Sequence, residues 1–276
     1  MTDRYAVIGN PVEHSKSPQI HTAFARQTGQ DIEFVRLAAP LDGLRASVDA
    51  FRAEGGCGAS VTIPFKLEAY NYADEVTARA KDARAANCLR FESGHALADN
   101  TDGVGLVRDI TLNLGIAIAD KRVLLMGAGG AAQGVLVPLL EQQAAILSIA
   151  NRTVDKALRL AESCRHHASS KHTVVSGSSY EDLAGRHFDL IINATASSLA
   201  GALPPLPTGV FAQGAAAYDL MYGKGLTPFL TFAREQGAQQ FADGLGMLVE
   251  QAAEAFLLWR GVRPQTRPVI GRLRGD

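Results

Sequence analysis

Val123-Leu124-Leu125-Met126-Gly127-Ala128-Gly129-Gly130-Ala131-Ala132 is the stretch that decides how this chain folds. Four apolar residues in succession suit a strand buried on both faces, as in a parallel sheet covered by helices. They run directly into a G-x-G-x-x-A loop and then into a helical pattern. Each small residue has a physical reason. Gly127 permits the tight turn, Gly129 lets the backbone approach a pyrophosphate, and Ala132 lets the helix pack closely on the strand. The helix start offers free N–H groups and the positive end of a dipole to phosphate. A glycine turn alone would be weak evidence; the strand–loop–helix context makes Gly127, Ala128, Gly129, Gly130 and Ala131 a dinucleotide loop.

The next strand, Ile146–Ala150, sets the cofactor. A carboxylate at its tip would hold the ribose hydroxyls of NAD. Asn151-Arg152-Thr153 stands there instead, with Lys156 shortly after. The permanently charged, planar fork of Arg152 suits a phosphate, so the pattern favours NADP over NAD. Downstream, Val154–His166 reads as a helix, and Val174–Ser176, Leu190–Ala194 and Ala216–Leu220 as strands. Val104–Leu114, Ala131–Leu140 and Leu245–Arg260 read as helices, with Pro138 expected to kink the second. Ala200–Pro207 reads as a surface loop.

Upstream the alternation repeats. Tyr5–Ile8, Ile32–Leu37 and Ala59–Ile63 read as strands, and Cys88–Glu92 with His95–Ala98 as a hairpin around Ser93-Gly94. Segments from Ser17 to about Thr28, Leu44–Ala53, Lys66–Tyr72 and about Val76–Ala85 read as helices. Strands separated by helices predict an α/β chain with mainly parallel sheets. A boundary is expected near Asp102-Gly103.

Composition excludes several classes. The chain has 276 residues, 47% of them hydrophobic, with 27 Lys+Arg against 28 Asp+Glu. That apolar content supports a folded core, and a net charge of −1 gives no footprint for nucleic acid. No apolar run reaches the ~20 residues of a membrane span, and the first residues do not read as a signal peptide. Cys57, Cys88 and Cys164 are far apart and read as free thiols of a cytoplasmic protein. His166, His167 and His172 lack a carboxylate set, so no metal site is expected.

Polar residues cluster at strand ends in the first part of the chain. Ser17 before Pro18 reads as a helix N-cap, which leaves Ser15 unexplained. Thr62 and Lys66 flank Pro64. Asn87 precedes a strand, and Asp99-Asn100-Thr101-Asp102-Gly103 closes the hairpin as ordinary turn formers. Tyr222 and Gln251 add two polar handles. Together these supply hydroxyls, amides, a cation and a carboxylate, a set suited to a small polyhydroxylated acid.

These segments resemble the bacterial shikimate dehydrogenase family along essentially the whole chain. The resemblance is carried by Gly9-Asn10-Pro11, His14-Ser15-Lys16-Ser17-Pro18, Val61-Thr62-Ile63-Pro64-Phe65-Lys66, Asp99 to Gly103, Gly127 to Ala131, Asn151-Arg152-Thr153, and Asp243-Gly244-Leu245-Gly246-Met247-Leu248. It implies NADP-dependent interconversion of 3-dehydroshikimate and shikimate, in aromatic amino-acid biosynthesis, by a monomer or homodimer. It implies a discontinuous substrate domain (1–102 plus 244–276), a Rossmann-type NADP domain (103–243), and an active site in the cleft between them. By the same match, Lys66 and Asp102 form the catalytic pair. Ser15, Ser17, Thr62, Asn87, Tyr222 and Gln251 hold the substrate. Gly127 to Ala131, Asn151, Arg152, Thr153 and Lys156 hold NADP, and Leu220 and Gly244 line the nicotinamide pocket.

The chain departs from the family pattern at Ser60, often Asn; at Cys88, usually Thr; at Leu220, often Met; and at Ala196, with Ser197-Ser198-Leu199 continuing differently. Both serines of the Ser-Lys-Ser motif are present, which favours shikimate over quinate. Two rivals remain: a paralogue acting on quinate or another hydroxy acid, and a non-catalytic NADP-binding sensor. The sensor would be expected to lack Lys66 or Asp102.

Overall fold

Strand β1 (Asp3–Gly9) is buried along most of its length and runs parallel to both its neighbours, β2 (Ile32–Ala38) and β3 (Gly56–Val61). Beyond β3 lie β5 (Cys88–Glu92) and β6 (His95–Asp99), a hairpin whose first strand is antiparallel to β3. The short β4 (Glu75–Val76) pairs in parallel with β6. The sheet order is β2-β1-β3-β5-β6-β4. Only β5 runs against the others, so its N-terminal end shares an edge with the C-terminal ends of β1, β3 and β6. That edge carries Asn10, Thr62, Asn87 and Asn100.

The computed structural model describes residues 2–165, 167, 172–195, 197 and 202–275. His166, Ala196, Ser198, Leu199 and the start of the 200–207 loop lie outside them. The chain divides into two compact units, Met1–Gly105 with Leu248–Asp276, and Leu106–Met247.

Side-chain alternation in β1 splits the core of the first unit. Ala6 and Ile8 pack with Leu44, Val48 and Phe51 of α2 (Leu44–Ala53) and with Ala69 and Tyr72 of α3 (Lys66–Tyr72). Tyr5 and Val7 point the other way, toward Phe34 and Trp259. Such period-two sorting is what a pleated strand imposes. Ile20 and Phe24 of α1 (Ser17–Thr28) meet Val249, Ala252, Ala253 and Phe256 of α9 (Leu245–Arg260) and Val269 of α10 (Arg267–Arg274).

The second unit is an all-parallel sheet of β7 (Arg122–Met126), β8 (Ile146–Ala150), β9 (Val174–Ser178), β10 (Phe188–Asn193), β11 (Phe211–Asp219) and β12 (Gln240–Asp243). Its order, β12-β11-β10-β7-β8-β9, is the doubly wound arrangement, whose topological switch point falls between β7 and β10. Helices α6 (Gly130–Leu140), α7 (Val154–Ser163) and α8 (Pro228–Glu235) accompany these strands. The apolar residues of β7 are wholly buried.

Several local expectations are corrected. The stretch read as one helix at 104–114 is α5 (Asp102–Arg108) followed by a π-helical turn, Asp109–Asn113. The buried Asp109 carboxylate accepts bonds there from Tyr218 Oη (2.7 Å) and Asn113 Nδ2 (2.9 Å). The reading of 76–85 as a helix gives way to β4 and α4 (Ala78–Ala83), because Thr77 caps α4 by accepting from the Ala80 N–H. Ser17 is not a cap. Helix α1 begins at Ser17 with Lys16 in the cap position, and the Ser17 N–H donates to Ser15 Oγ at 3.3 Å. Pro138 lies inside α6, which remains helical to Leu140. Helices α8 and α10 and strand β12 carry no apolar run long enough to have been read from sequence.

His21 on α1 has an unusual position. It is wholly buried, stacked on Phe34 with ring centroids 4.3 Å apart, and neither ring nitrogen has a hydrogen-bond partner. Burial pushes its pKa down to about 3 from 6.5. Between those values the unfolded chain takes up a proton that the folded chain refuses, so stability is complete above pH 6.5 and declines as pH falls toward 3. The full decline is on the order of 4–5 kcal/mol at about 1.4 kcal/mol per pH unit. Urea unfolding at pH 4.0–8.0 should show this slope, and His21→Phe should flatten it; an equal slope in the variant would refute the assignment.

Candidate active site

In the first unit the sheet edge described above gathers the polar residues. Lys66 is the first residue of α3, which starts just after β3, and Asp102 is the first residue of α5, just after β6. Their side chains meet, Lys66 Nζ to Asp102 Oδ2, at 2.5 Å. A charge-assisted bond of this length is short and strong. The Lys66 side chain keeps 32% of its surface exposed and Asp102 15%, so the ion pair faces open space on one side while its base is held.

Asn87 holds that base. Its side-chain nitrogen lies 2.8 Å from Asp102 Oδ1, 3.0 Å from Thr101 Oγ1 and 3.1 Å from Gln251 Oε1. Its side-chain oxygen accepts from the Thr101 backbone N–H at 2.8 Å. The main chain of Asn87 continues the ladder, donating to Asp99 O and accepting from Val61 N. Asn100 orders the same loop, accepting from Asp102 N at 3.1 Å and donating to Ala85 O at 3.0 Å. Gln251, on α9, donates to Leu248 O. Thus both oxygens of Asp102 are fixed, one by Lys66 and one by Asn87.

Ser15 and Ser17 follow β1 and are bonded to each other, Oγ to Oγ, at 3.1 Å. Arg36 clamps the Ser15 carbonyl through two nitrogens, at 2.6 and 3.2 Å. Thr62 directly follows β3, and its N–H donates to Ile8 O. All three residues lie at the same end of the sheet as Lys66. Ser60 and Cys88, two of the departures noted above, face each other across β3 and β5. Both are buried, and burial pushes the Cys88 thiol well up, so this cysteine is an inert filler beneath the site. Tyr222 belongs to the second unit and is not part of this cluster.

In the second unit the loop after β7 has the geometry its glycines require. Gly127 has φ of +106°, and a Cβ there would press on Ala194 O and Thr195 Cγ2. Gly129 and Gly130, by contrast, would leave a Cβ in open space within 4 Å, so the mouth of the loop is clear. Thr195 completes the switch point from β10, held by Asn193 Oδ1 through both its N–H (3.1 Å) and its hydroxyl (2.7 Å). After β8, Asn151 Nδ2 closes the turn on Thr153 O at 3.0 Å. Arg152, Thr153 and Lys156 are exposed, and neither cation has an ion-pair partner among the described residues. Burial pushes the Tyr180 phenol up to about 12, and the Arg152 charge acts against that shift, which places the guanidinium near Tyr180.

Leu220 and Gly244 adjoin each other beyond β11 and β12. A Cβ on Gly244 would fall 2.1 Å from Leu220 O, so only glycine permits this approach. A guanidinium fork and an ammonium without ion pairs among the described residues, beside an open glycine loop and an exposed helix start, fit a phosphorylated dinucleotide. Among the described residues no group of His, Cys, Asp and Glu could hold a metal ion, and no helix is long and apolar enough to cross a membrane.

Sequence reading overlooked Thr101 and Asn193 with Thr195. Thr101 bonds Asn87 and approaches Gln251 Oε1 at 3.3 Å. Its only signal was its place between Asn100 and Asp102, where a turn is a sufficient explanation.

Comparison with known proteins agrees with this architecture. Residues 7–89 match the model of the shikimate dehydrogenase substrate binding domain, residues 110–200 that of shikimate / quinate 5-dehydrogenase, and residues 244–274 that of the shikimate 5'-dehydrogenase C-terminal domain. A shikimate dehydrogenase (NADP(+)) of Nitrosospira multiformis is 61% identical over 276 residues, covering 100% of this chain and 98% of the relative. Among solved structures, an Ael1 enzyme from Pseudomonas putida is 52% identical with a TM-score of 0.91, covering 99% of this chain and 98% of that one. Shikimate 5-dehydrogenase from Thermus thermophilus, in complex with NADP(H) and shikimate, is 30% identical with a TM-score of 0.87, covering 99% of both chains. With matching models along its length and relatives aligned end to end, the chain belongs to the shikimate dehydrogenase family.

Proposed function

We propose that this protein catalyses the NADP-linked, reversible reduction of 3-dehydroshikimate to shikimate, a step of aromatic amino-acid biosynthesis. The Lys66–Asp102–Asn87 array carries the reading: a half-buried ammonium whose partner carboxylate is fixed on both oxygens. When bound, NADP(H) supplies or accepts the hydride. The loop Gly127–Ala131, with Asn151, Arg152, Thr153 and Lys156, holds its phosphates, and Leu220 and Gly244 border the nicotinamide.

The chain's own task is proton transfer and charge control at the oxygen of the reacting carbon. In reduction, negative charge develops on that oxygen, and Lys66 Nζ donates the proton to it. In oxidation, the neutral Lys66 amine takes the hydroxyl proton. Asp102 aims Nζ in both directions, since Asn87 prevents its carboxylate from turning away. Ser15, Ser17, Thr62, Asn87, Tyr222 and Gln251 supply donors and acceptors for the carboxylate and ring hydroxyls of the acid. The Ser15–Ser17 hydroxyl pair favours shikimate over the more heavily hydroxylated quinate. The substrate-binding role belongs to 1–102 plus 244–276 and the NADP-binding role to 103–243. Burial of Cys88 and Cys164 as thiols accords with a cytoplasmic enzyme.

The test crosses shikimate and quinate with NADP⁺ and NAD⁺, following nicotinamide absorbance. Fast turnover with shikimate and NADP⁺ alone is expected. Turnover mainly with quinate would move the protein to the paralogue class, and NADP⁺ binding without turnover would make it a sensor. Lys66→Ala should lower kcat by ~10²–10⁴-fold, the usual scale of acid–base assistance, with the shikimate KM little changed. An unaltered kcat would remove Lys66 from the chemistry. Arg152→Ala should raise the KM for NADP⁺ about 10- to 100-fold, the scale of a lost charged hydrogen bond, and leave that for NAD⁺ unaffected. Equal effects on both would show that Arg152 does not read the extra phosphate.

A further inference from the structure

Behind the Lys66–Asp102 pair lies a second layer of charge, in which Asp99 is linked with Arg79, Glu250, Glu254 and Arg263, four residues outside the family motifs quoted above. Asp99, the last residue of β6, is wholly buried. Its carboxylate accepts from Thr77 Oγ1 at 2.6 Å, from the Asn100 N–H at 2.8 Å, and from Arg79 through Nε at 3.1 Å and through Nη2. Asp99 also carries the backbone oxygen that receives the Asn87 N–H. It therefore fixes the start of the loop that presents Thr101 and Asp102, and the main chain that presents Asn87.

Arg79 reaches further. Its remaining terminal nitrogen, Nη1, lies 3.2 Å from Glu254 Oε1, on α9 one turn beyond Gln251. Glu254 is bonded in turn to Arg263, which also pairs with the buried Glu250 at 2.8 Å. Glu250 takes the Thr266 hydroxyl at 2.5 Å, tying the layer to the start of α10. Among the described residues, Arg79 is the cation that joins the buried carboxylate of the loop to the helix carrying Gln251. A guanidinium can do this because its donors diverge in a rigid plane; an ammonium on the same stem is a point charge.

We propose that Arg79 is a positioning residue: by bridging Asp99 and Glu254 it sets the register between the Asn100–Asp102 loop and α9, and so holds Asn87, Asp102 and Gln251 in one constellation. This rests on the proposed function of the same site. A displacement of about 1 Å in such a constellation, caused from outside it, costs about 100-fold in rate.

The test uses the full-length protein carrying Arg79→Lys or Glu254→Gln, with steady-state kinetics and ¹⁵N spectra of side-chain amides. In Arg79→Lys, kcat for shikimate should fall about 10- to 100-fold, and the apparent pKa of the kcat profile should move because Asp102 no longer aims Lys66. The KM for NADP⁺ should stay within about twofold, as the bonds of Arg79 given above all lie within the first unit. The amide signals of Asn87 and Gln251 should shift. Glu254→Gln, which keeps a hydrogen bond but removes the charge, should mainly raise the KM for shikimate, and it stands in if the Arg79 variant fails to fold. Wild-type kinetics together with unmoved Asn87 and Gln251 signals would overturn the proposal. So would a loss of kcat matched by an equal loss of NADP⁺ affinity, which marks general destabilisation. If the unmodified protein turns over no shikimate, the function assigned above fails, while the amide spectra still decide whether Arg79 sets the constellation.

Discussion

A single buried carboxamide organises the polar cluster of the first unit. Asn87 lies at the start of the one antiparallel strand, and its side chain meets Thr101, Asp102 and Gln251 from two distant parts of the sequence. An amide offers donors on one atom and acceptors on the other, so it can satisfy a hydroxyl, a carboxylate and a backbone N–H together. Buried groups of this kind tolerate little error, because each unmade bond costs the desolvation of its orphaned partner. The requirement that Asn87 be satisfied thus fixes where Asp102 points, and Asp102 fixes Lys66.

Charge is layered in the same way beneath that cluster. Asp99 is sealed from water, and its charge is tolerated because Arg79, Thr77 and the Asn100 N–H surround it. Stripping a buried charge of its partner typically costs about 3–5 kcal/mol, which makes such a pair a source of rigidity more than of net stability. Rigidity is what a proton-transfer site requires, since reacting groups must be held close to their working geometry before substrate arrives. The ionic layer and the part-buried Lys66–Asp102 pair are therefore one bonded construction, joined through the Asp99 backbone and Asn87.

The second unit solves a different problem by leaving atoms out. Its turn after β12 brings backbone to within a distance that a single Cβ would forbid, at Gly244, and its loop after β7 takes a positive φ at Gly127 that favours glycine. The exposed cations after β8 are left without ion pairs among the described residues, and so keep their charge available to a phosphate. Here the site is made by missing side chains and unpaired charge, where the first unit makes its site by complete pairing.

Much of this was legible in the residues themselves. The run Val123–Met126 ahead of its glycines specified a strand, a tight loop and a helix, because a parallel central strand must be apolar on both faces and a phosphate loop must lack side chains. The absent carboxylate and the present Arg152 after β8 pointed to NADP for an equally local reason, and the chain's relatives are named as NADP-dependent. What local pattern could not decide was anything that depends on two distant segments meeting. Thr101 looked like a turn residue and Ser17 like a cap, and Arg79 carried no local signal of any role. Thr101 and Arg79 received their contacts only when β5, β6 and α9 were brought together. Periodicity and turn chemistry are properties of neighbouring residues, so the sequence determines elements and loops. A buried hydrogen bond belongs to residues as far apart as Asn87 and Gln251, and only the packed tertiary structure decides it.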